Sequence, residues 1–373
     1  MKLIEATNLI RRLPKIMSVG NKKKHRETAL KAWKTIKRKR REKAAKKSKR
    51  LTQFIHPKAI REIKHPEIVD FEESLEPIWK GNRIVVPFHK TPPNIACGTF
   101  WELRWAYGCP LNCSYCYLRG TTRGRLKPQY VKIDHILKAL DEAFMKIRKP
   151  AILNAGELSD ALMNPPLMAE IAEKFEEQDK HKIYLLTKLG LKSIEFLLEK
   201  PRNQVICGWS INAPNVARRW EKAAPSPEER IEAAKQVRAV GYDTRIRIDP
   251  IFPVKDWKSL YAYVLNRIMS NLTPDRIILG TPRGLWKTIN YAQKAGVDMS
   301  WTRFFKEDTG WGKKLAFEQR VEIYQFFFDK LESIGYPLPQ ISICKETIDV
   351  WKALGLPYVG RICSCYGRNA LIT

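Results

Sequence analysis

From residue 100 onward the chain alternates between short apolar runs of strand length and longer runs with helical spacing. That alternation constrains its fold more than any other feature. Phe100-Trp101-Glu102-Leu103-Arg104-Trp105 alternates as a strand, and Ile133, Ile136, Leu137, Leu140, Phe144 and Ile147 then share one helical stripe. The same order recurs as strand 151–154 and helix 167–178, strand 183–186 and helix 192–200, then strand 205–210 and helix 227–240. Strand 244–248 precedes helix 257–270, and strand 276–279 precedes helix 317–334 and a last strand at 340–343. Ser226-Pro227-Glu228-Glu229 opens one of these helices with an N-cap residue followed by Pro at the first position. Six or so such units in succession imply an α/β fold, a parallel sheet with helices outside, open or closed into a barrel.

In such folds reactive groups gather at the C-terminal ends of the strands. The polar residues that stand out fall there: Cys109 onward, Gly156-Glu157, Thr187-Lys188, Ser210-Ile211-Asn212 and Asp249-Pro250. Any one of them alone reads as a turn or a cap. Their recurrence at successive strand ends points to one shared site.

The densest chemical signal is Gly108-Cys109-Pro110-Leu111-Asn112-Cys113-Ser114-Tyr115-Cys116-Tyr117. Three cysteines spaced C-x3-C-x2-C on one loop can bring three thiolates to one centre. A structural zinc takes four protein ligands, usually as two close pairs, and only one close set is present. Three thiolates suit a four-iron cluster with one iron left open, since full ligation takes four.

These residues resemble the radical S-adenosylmethionine (SAM) superfamily and, through Cys-Ser-Tyr-Cys-Tyr-Leu, its spore photoproduct lyase-like branch. The likeness continues through Gly156-Glu157-Leu158-Ser159-Asp160, Leu186-Thr187-Lys188, Trp209-Ser210-Ile211-Asn212, Pro225-Ser226-Pro227-Glu228-Glu229-Arg230 and Asp249-Pro250-Ile251, over roughly residues 95–255. The resemblance implies a partial (β/α)6 TIM-like barrel. It implies a [4Fe–4S] cluster on Cys109, Cys113 and Cys116, with SAM chelating the fourth iron. One-electron reduction would then yield a 5′-deoxyadenosyl radical that abstracts hydrogen from a substrate. By matching position Ser159, Lys188 and Ser210 would contact SAM, with Glu157 and Asn212 as further candidates from the same strand ends. Tyr115 and Tyr117 match two tyrosines beside the family's cluster, which pack on SAM or relay hydrogen.

One position departs from the pattern. In the photoproduct lyases a cysteine just before the matching Ser-Asp pair returns hydrogen to the product radical, and here that place is Leu158. Leucine does not donate a hydrogen atom readily, so base modification or rearrangement is favoured over dimer repair. Cys344, Cys363 and Cys365 are the candidates for a replacement thiol donor, a redox pair or a second metal site. Cys207, inside an apolar strand, reads as core.

Charge supplies the expected substrate class. Of the net +29, residues 1–50 carry +17, from 20 Lys and Arg against 3 Asp and Glu. With His25 and Trp33 interleaved, this stretch is expected to be a basic nucleic-acid-binding arm. Residues 51–98 form a Pro-punctuated connecting region with a short strand at 83–88, residues 99–335 the barrel, and 336–373 a C-terminal cysteine-containing segment. Arg218, Arg219 and Trp220 are candidates for the entrance. The expected function is lyase- or isomerase-type radical chemistry on a DNA base, thymine or a thymine derivative. The alternatives are photoproduct repair with another thiol, modification of RNA or peptide, and a non-catalytic iron–sulfur or zinc nucleic-acid-binding protein. The expected partners are DNA and a one-electron reductant such as flavodoxin or ferredoxin. No run approaches the roughly 18 apolar residues of a membrane span, and the expected location is the cytoplasm, or the host cytoplasm for a phage-borne chain.

Overall fold

The computed structural model describes residues 83–88, 94–97, 100–309 and 312–356. The basic arm, Cys363 and Cys365 lie outside them. Eight strands form one sheet in which spatial order follows chain order. They are β1 (Val85–Phe88), β2 (Phe100–Leu103), β3 (Ile152–Asn154), β4 (Lys182–Thr187), β5 (Val205–Ser210), β6 (Asp243–Ile248), β7 (Arg276–Leu279) and β8 (Ile341–Ile343). From β2 to β8 every neighbour is parallel, with Trp101 opposite Leu153, Leu153 opposite Ile183 and Leu279 opposite Ile343. Sequential parallel strands joined by helical crossovers build the partial barrel that the strand–helix alternation predicts. Strand β8 falls in the segment assigned from sequence to the C-terminal region, and it completes the sheet against β7.

All six residues of β5 are buried, as a strand covered on both faces requires. Cys207 is one of them, and burial pushes its thiol well above the usual range. Strand β1 is the antiparallel edge, pairing Val85 with Leu103 and Phe88 with Phe100. Pro87 is tolerated there because an edge strand can spare one amide donor.

The helices are α1 (Leu118–Thr121), α2 (Ile133–Lys146), α3 (Pro165–Glu176), α4 (Glu195–Leu198), α5 (Pro214–Trp220), α6 (Pro227–Val240), α7 (Trp257–Met269), α8 (Trp286–Lys294), α9 (Phe317–Ser333) and α10 (Ile348–Leu354). In α2 the inward stripe is Ile136, Ala139, Leu140 and Ala143. The Ser226 hydroxyl accepts from the Glu229 amide at 3.1 Å and caps α6 as its sequence predicts. The helix expected over 192–200 is a short 3-10 turn followed by α4 alone, because Pro201 excludes helical backbone in the residue before it. Among the described residues no helix is long and apolar enough to cross a membrane.

The chain leaving β8 returns to the start of the sheet. Glu346–Thr347 pairs antiparallel with Ile95–Ala96, and the Lys345 ammonium lies 4.5 Å from the Phe88 ring centroid and 5.6 Å from that of Phe100. Fully buried Glu346 gathers Arg320 at 2.6 Å, Thr281 at 2.8 Å, Tyr324 at 2.9 Å and Lys314 at 3.3 Å. Burial would raise this carboxyl, but Lys314 and Arg320 outweigh it and hold it at about 2. One carboxylate thus ties β8, α9 and the small hairpin of Glu307–Asp308 with Lys313–Lys314 together.

Candidate active site

A cavity of about 820 Å3 opens at the C-terminal ends of the strands. The loop between β2 and α1 supplies Cys109, Cys113 and Cys116 to its lining. Gly108 makes the turn into that loop with φ +85, and a Cβ there would stand 2.7 Å from the carbonyl oxygens of Leu126 and Lys127. Asn112 takes the left-handed conformation that Asn tolerates, with φ 51. Buried Arg119, in α1, fixes the turn by donating to the Asn112 side chain at 2.6 Å and to the Cys113 carbonyl at 3.1 Å. The Ser114 amide is anchored on the Trp220 carbonyl at 2.8 Å.

Burial, with nearby Asp160 adding to it, pushes the Cys109 thiol up to about 12. Burial raises Cys113 well above its ordinary value and Cys116 less, the Leu118 amide and Lys188 opposing the rise at Cys116. Such thiols become ligands only by releasing protons to an incoming metal centre. No group of three Cys, His, Asp or Glu side chains among the described residues is placed to hold a single metal ion. A four-iron cluster has no need of one common point, because each thiolate takes its own iron. The loop fits such a cluster: three thiols on one cavity, Cys113 buried and Cys109 and Cys116 half-buried, with backbone amides of Leu111 and Leu118 directed at the sulfurs of Cys109 and Cys116.

Beside the loop, the Lys188 ammonium after β4 donates to the Ser210 hydroxyl at the end of β5, at 2.7 Å. Lys188 is positioned through its backbone, whose amide donates to Asp160 at 2.7 Å, while Thr187 donates to the same carboxyl at 2.7 Å. Ser159 is buried and lines the cavity together with Glu157 and Leu158. The Tyr117 hydroxyl donates to the Glu157 carbonyl, and Lys345 lies 3.8 Å from the Glu157 carboxylate. The Tyr115 hydroxyl donates to Glu221, which is fully buried with Arg230 at 2.6 Å. Burial would raise the Glu221 carboxyl, but Arg230 and Lys188 bring it below its ordinary value. That charge is therefore kept under the cysteine loop.

The ends of β6, β7 and β8 carry a charge network in which Asp249, already marked in the sequence as a strand-end polar residue, is joined by Arg283, which was not. Asp249 accepts from Arg283 at 2.7 and 2.8 Å and from Arg247 at 2.7 Å. Burial works to raise its carboxyl, yet Arg283 and Arg247 hold it below the usual carboxylate range. The signal was in the chain: Asp243, Arg245, Arg247 and Asp249 alternate at the two-residue period that puts side chains on one face of a strand.

Nine of the expected site residues meet in the one cavity: the three loop cysteines, Tyr115, Tyr117, Glu157, Ser159, Lys188 and Ser210. Asn212 does not line it. Its amide donates to the Pro250 carbonyl at 3.0 Å and its oxygen accepts from Tyr261 at 2.8 Å, so it braces the loops beneath the site. Cys344 does not line it either, although its sulfur accepts from Arg247, which does, at 2.8 Å. Trp220 is buried and Arg219 pairs with Asp298 at 2.9 Å, so neither forms the entrance.

A three-cysteine loop after the first parallel strand, facing a lysine–serine pair at later strand ends, defines a partial barrel of the radical SAM class. The profile of the spore photoproduct lyase family matches residues 83–278, more than half of the chain. The chain belongs to that family. It is 30% identical over 215 residues to the spore photoproduct lyase of Clostridium acetobutylicum, covering 55% of this chain and 61% of that one. Identity to the Bacillus subtilis (strain 168) enzyme of the same name is 29% over 204 residues, 52% and 57% of the two chains. The matches therefore span about three fifths of these relatives' length. A solved spore photoproduct lyase complexed with dinucleoside spore photoproduct superposes with TM-score 0.56 at 19% identity, over 69% of this chain and 78% of that one. A variant of that lyase with bound AdoMet and the same dinucleoside gives 0.57 at 19% identity, over 70% and 79%. These two share the fold.

Proposed function

We propose that this chain is a radical SAM enzyme acting on a thymine-derived base in DNA. The observation that carries the reading is the single cavity in which the cysteine loop, the Lys188–Ser210 pair and Leu158 meet at the strand ends. Cys109, Cys113 and Cys116 would hold a [4Fe–4S] cluster. When bound, that cluster and SAM supply one-electron cleavage of the sulfonium to methionine and a hydrogen-abstracting 5′-deoxyadenosyl radical. Lys188 is the cation for the SAM carboxylate, and the Ser159 and Ser210 hydroxyls are acceptors and donors for its amine or ribose. Glu221, kept ionised by Arg230, orients the Tyr115 phenol against the loop.

The family name supports a spore photoproduct as substrate, and the +17 carried by residues 1–50 supports a polyanionic one. A base must leave its stack to enter a cavity of this kind. Leu158 on the cavity wall favours modification or rearrangement, in which hydrogen returns from 5′-deoxyadenosine and no thiol is needed at that position. The expected electron donor is a flavodoxin or ferredoxin, and the expected place the cytoplasm.

The test is anaerobic reconstitution with iron, sulfide, SAM and dithionite, followed by assay for 5′-deoxyadenosine. Brown cluster absorbance and SAM cleavage are expected, both lost to background in Cys113→Ala. DNA deuterated throughout its thymines, with and without ultraviolet irradiation, should transfer deuterium to 5′-deoxyadenosine or SAM. Absence of cluster and cleavage would overturn the enzyme reading. Cleavage without deuterium transfer would overturn thymine as the target.

A further inference from the structure

One part of the cavity lining is left over when the cofactor residues are accounted for. Trp286, the first residue of α8, lines the cavity and is 53% exposed, the most exposed aromatic side chain among the described residues. Its ring carries the Lys313 ammonium 4.8 Å from the centroid. The hairpin holding Lys313 is pinned to the same loop by two backbone bonds with Gly284, at 2.8 and 2.9 Å. Lys287 and Arg123, both exposed, line the cavity alongside. Trp301 lines it too. It is fully buried, and its indole N–H has no acceptor among the described residues.

This mouth packs directly against the helix that follows the cysteine loop. Helix α1 packs against α8 so closely that a Cβ on Gly120 would lie 2.8 Å from the Thr288 amide nitrogen and 3.0 Å from the Lys287 carbonyl carbon. An exposed indole set among three cations has the composition of a surface that stacks bases and tracks phosphates.

We propose that Trp286 is the stacking platform for the nucleotide next to the base held in the cavity. Lys287, Lys313 and Arg123 receive the flanking phosphates of the same DNA strand. The inference rests on the nucleic-acid reading above and adds where the strand lies. Lys313 covers part of the ring, and the exposed remainder takes the base. Such stacking tolerates any base, so the platform holds the strand without reading its sequence.

The probe is a short single-stranded thymine oligonucleotide with 2-aminopurine beside a central thymine and a dye at one end, added to the full-length protein. In the wild type, anisotropy reports binding and the 2-aminopurine emission is quenched by stacking. Trp286→Ala is expected to remove most of the quench, and Trp286→Tyr, which keeps a stacking ring, to retain it. Lys287→Gln combined with Arg123→Gln should lower the slope of log K against log salt by about 1 to 2. Thermal unfolding of each variant checks that it folds. Binding with a quench that Trp286→Ala leaves intact would overturn the platform while sparing the DNA reading. No binding by the wild type would overturn both.

Discussion

The strand ends divide into two halves of opposite character. After β2 to β5 come three thiols, the Ser159 and Ser210 hydroxyls and the Lys188 ammonium, all lining one cavity and lightly bonded to one another. After β6 to β8 the charges are paired among themselves, with Arg247 and Arg283 both on Asp249. The first half is built to receive ligands. The second lines the same cavity with its charges committed to one another, an electrostatic frame that holds the wall in place. Both halves mix buried and half-buried groups, so burial alone does not mark the reactive side. Unspent bonding capacity does.

The largest expected effect lies in the frame. Asp249→Asn leaves two guanidinium groups facing each other without their counter-charge, a loss of about 3–5 kcal/mol in stability by urea unfolding. The pH dependence gives its sign. A carboxyl held below its unfolded value of about 3.9 contributes fully above that pH, and the contribution is lost as pH falls through the lowered folded value. Asp249→Asn should therefore flatten the acid limb of the stability curve; an unchanged limb would remove the frame from the comparison.

Next comes the receiving half. Lys188→Met should raise the SAM concentration for half-maximal 5′-deoxyadenosine release by roughly 10- to 100-fold, equivalent to about 1.4–2.7 kcal/mol, with little change in thermal stability. A loss of stability comparable to that of Asp249→Asn would show that Lys188 belongs to the frame instead. The smallest effect is expected from Leu158→Cys, at a half-buried position on the cavity wall. Stability should stay within about 0.5–1.5 kcal/mol, while product analysis on irradiated DNA should shift toward restored thymine pairs. An unchanged product ratio would argue that hydrogen return does not pass that wall.

The division also explains what the sequence made legible. The strand–helix rhythm survives because each parallel strand keeps at least one face apolar, and β4 to β7 fall within a residue or so of their expected bounds. The receiving half was readable because cysteines, serines and a lysine at strand ends stand out against apolar runs. Asn212 shared that position in the pattern, but its side chain turns inward to Pro250 and Tyr261, a choice made by tertiary packing. The frame was harder to read. Arg283 and Asp249 meet across 34 residues; the same holds under the cysteine loop, where Arg230 finds Glu221 only when two helices fold back together. A charged residue reads as surface until its partner is known. Arg119 escaped notice for the same reason: its value lies in holding the carbonyls of Asn112 and Cys113.

Gly120 carries a mechanical consequence. At Gly120 the α1 backbone meets the backbone at the start of α8 without clearance for even a Cβ. Two backbones in direct contact have no rotamers with which to absorb a displacement. The cysteine loop, through α1, and the helix that begins with Trp286 therefore meet at a contact with no room to spare. A single methyl group at position 120 would collide with that backbone and push the cysteine loop and the Trp286 end of α8 apart.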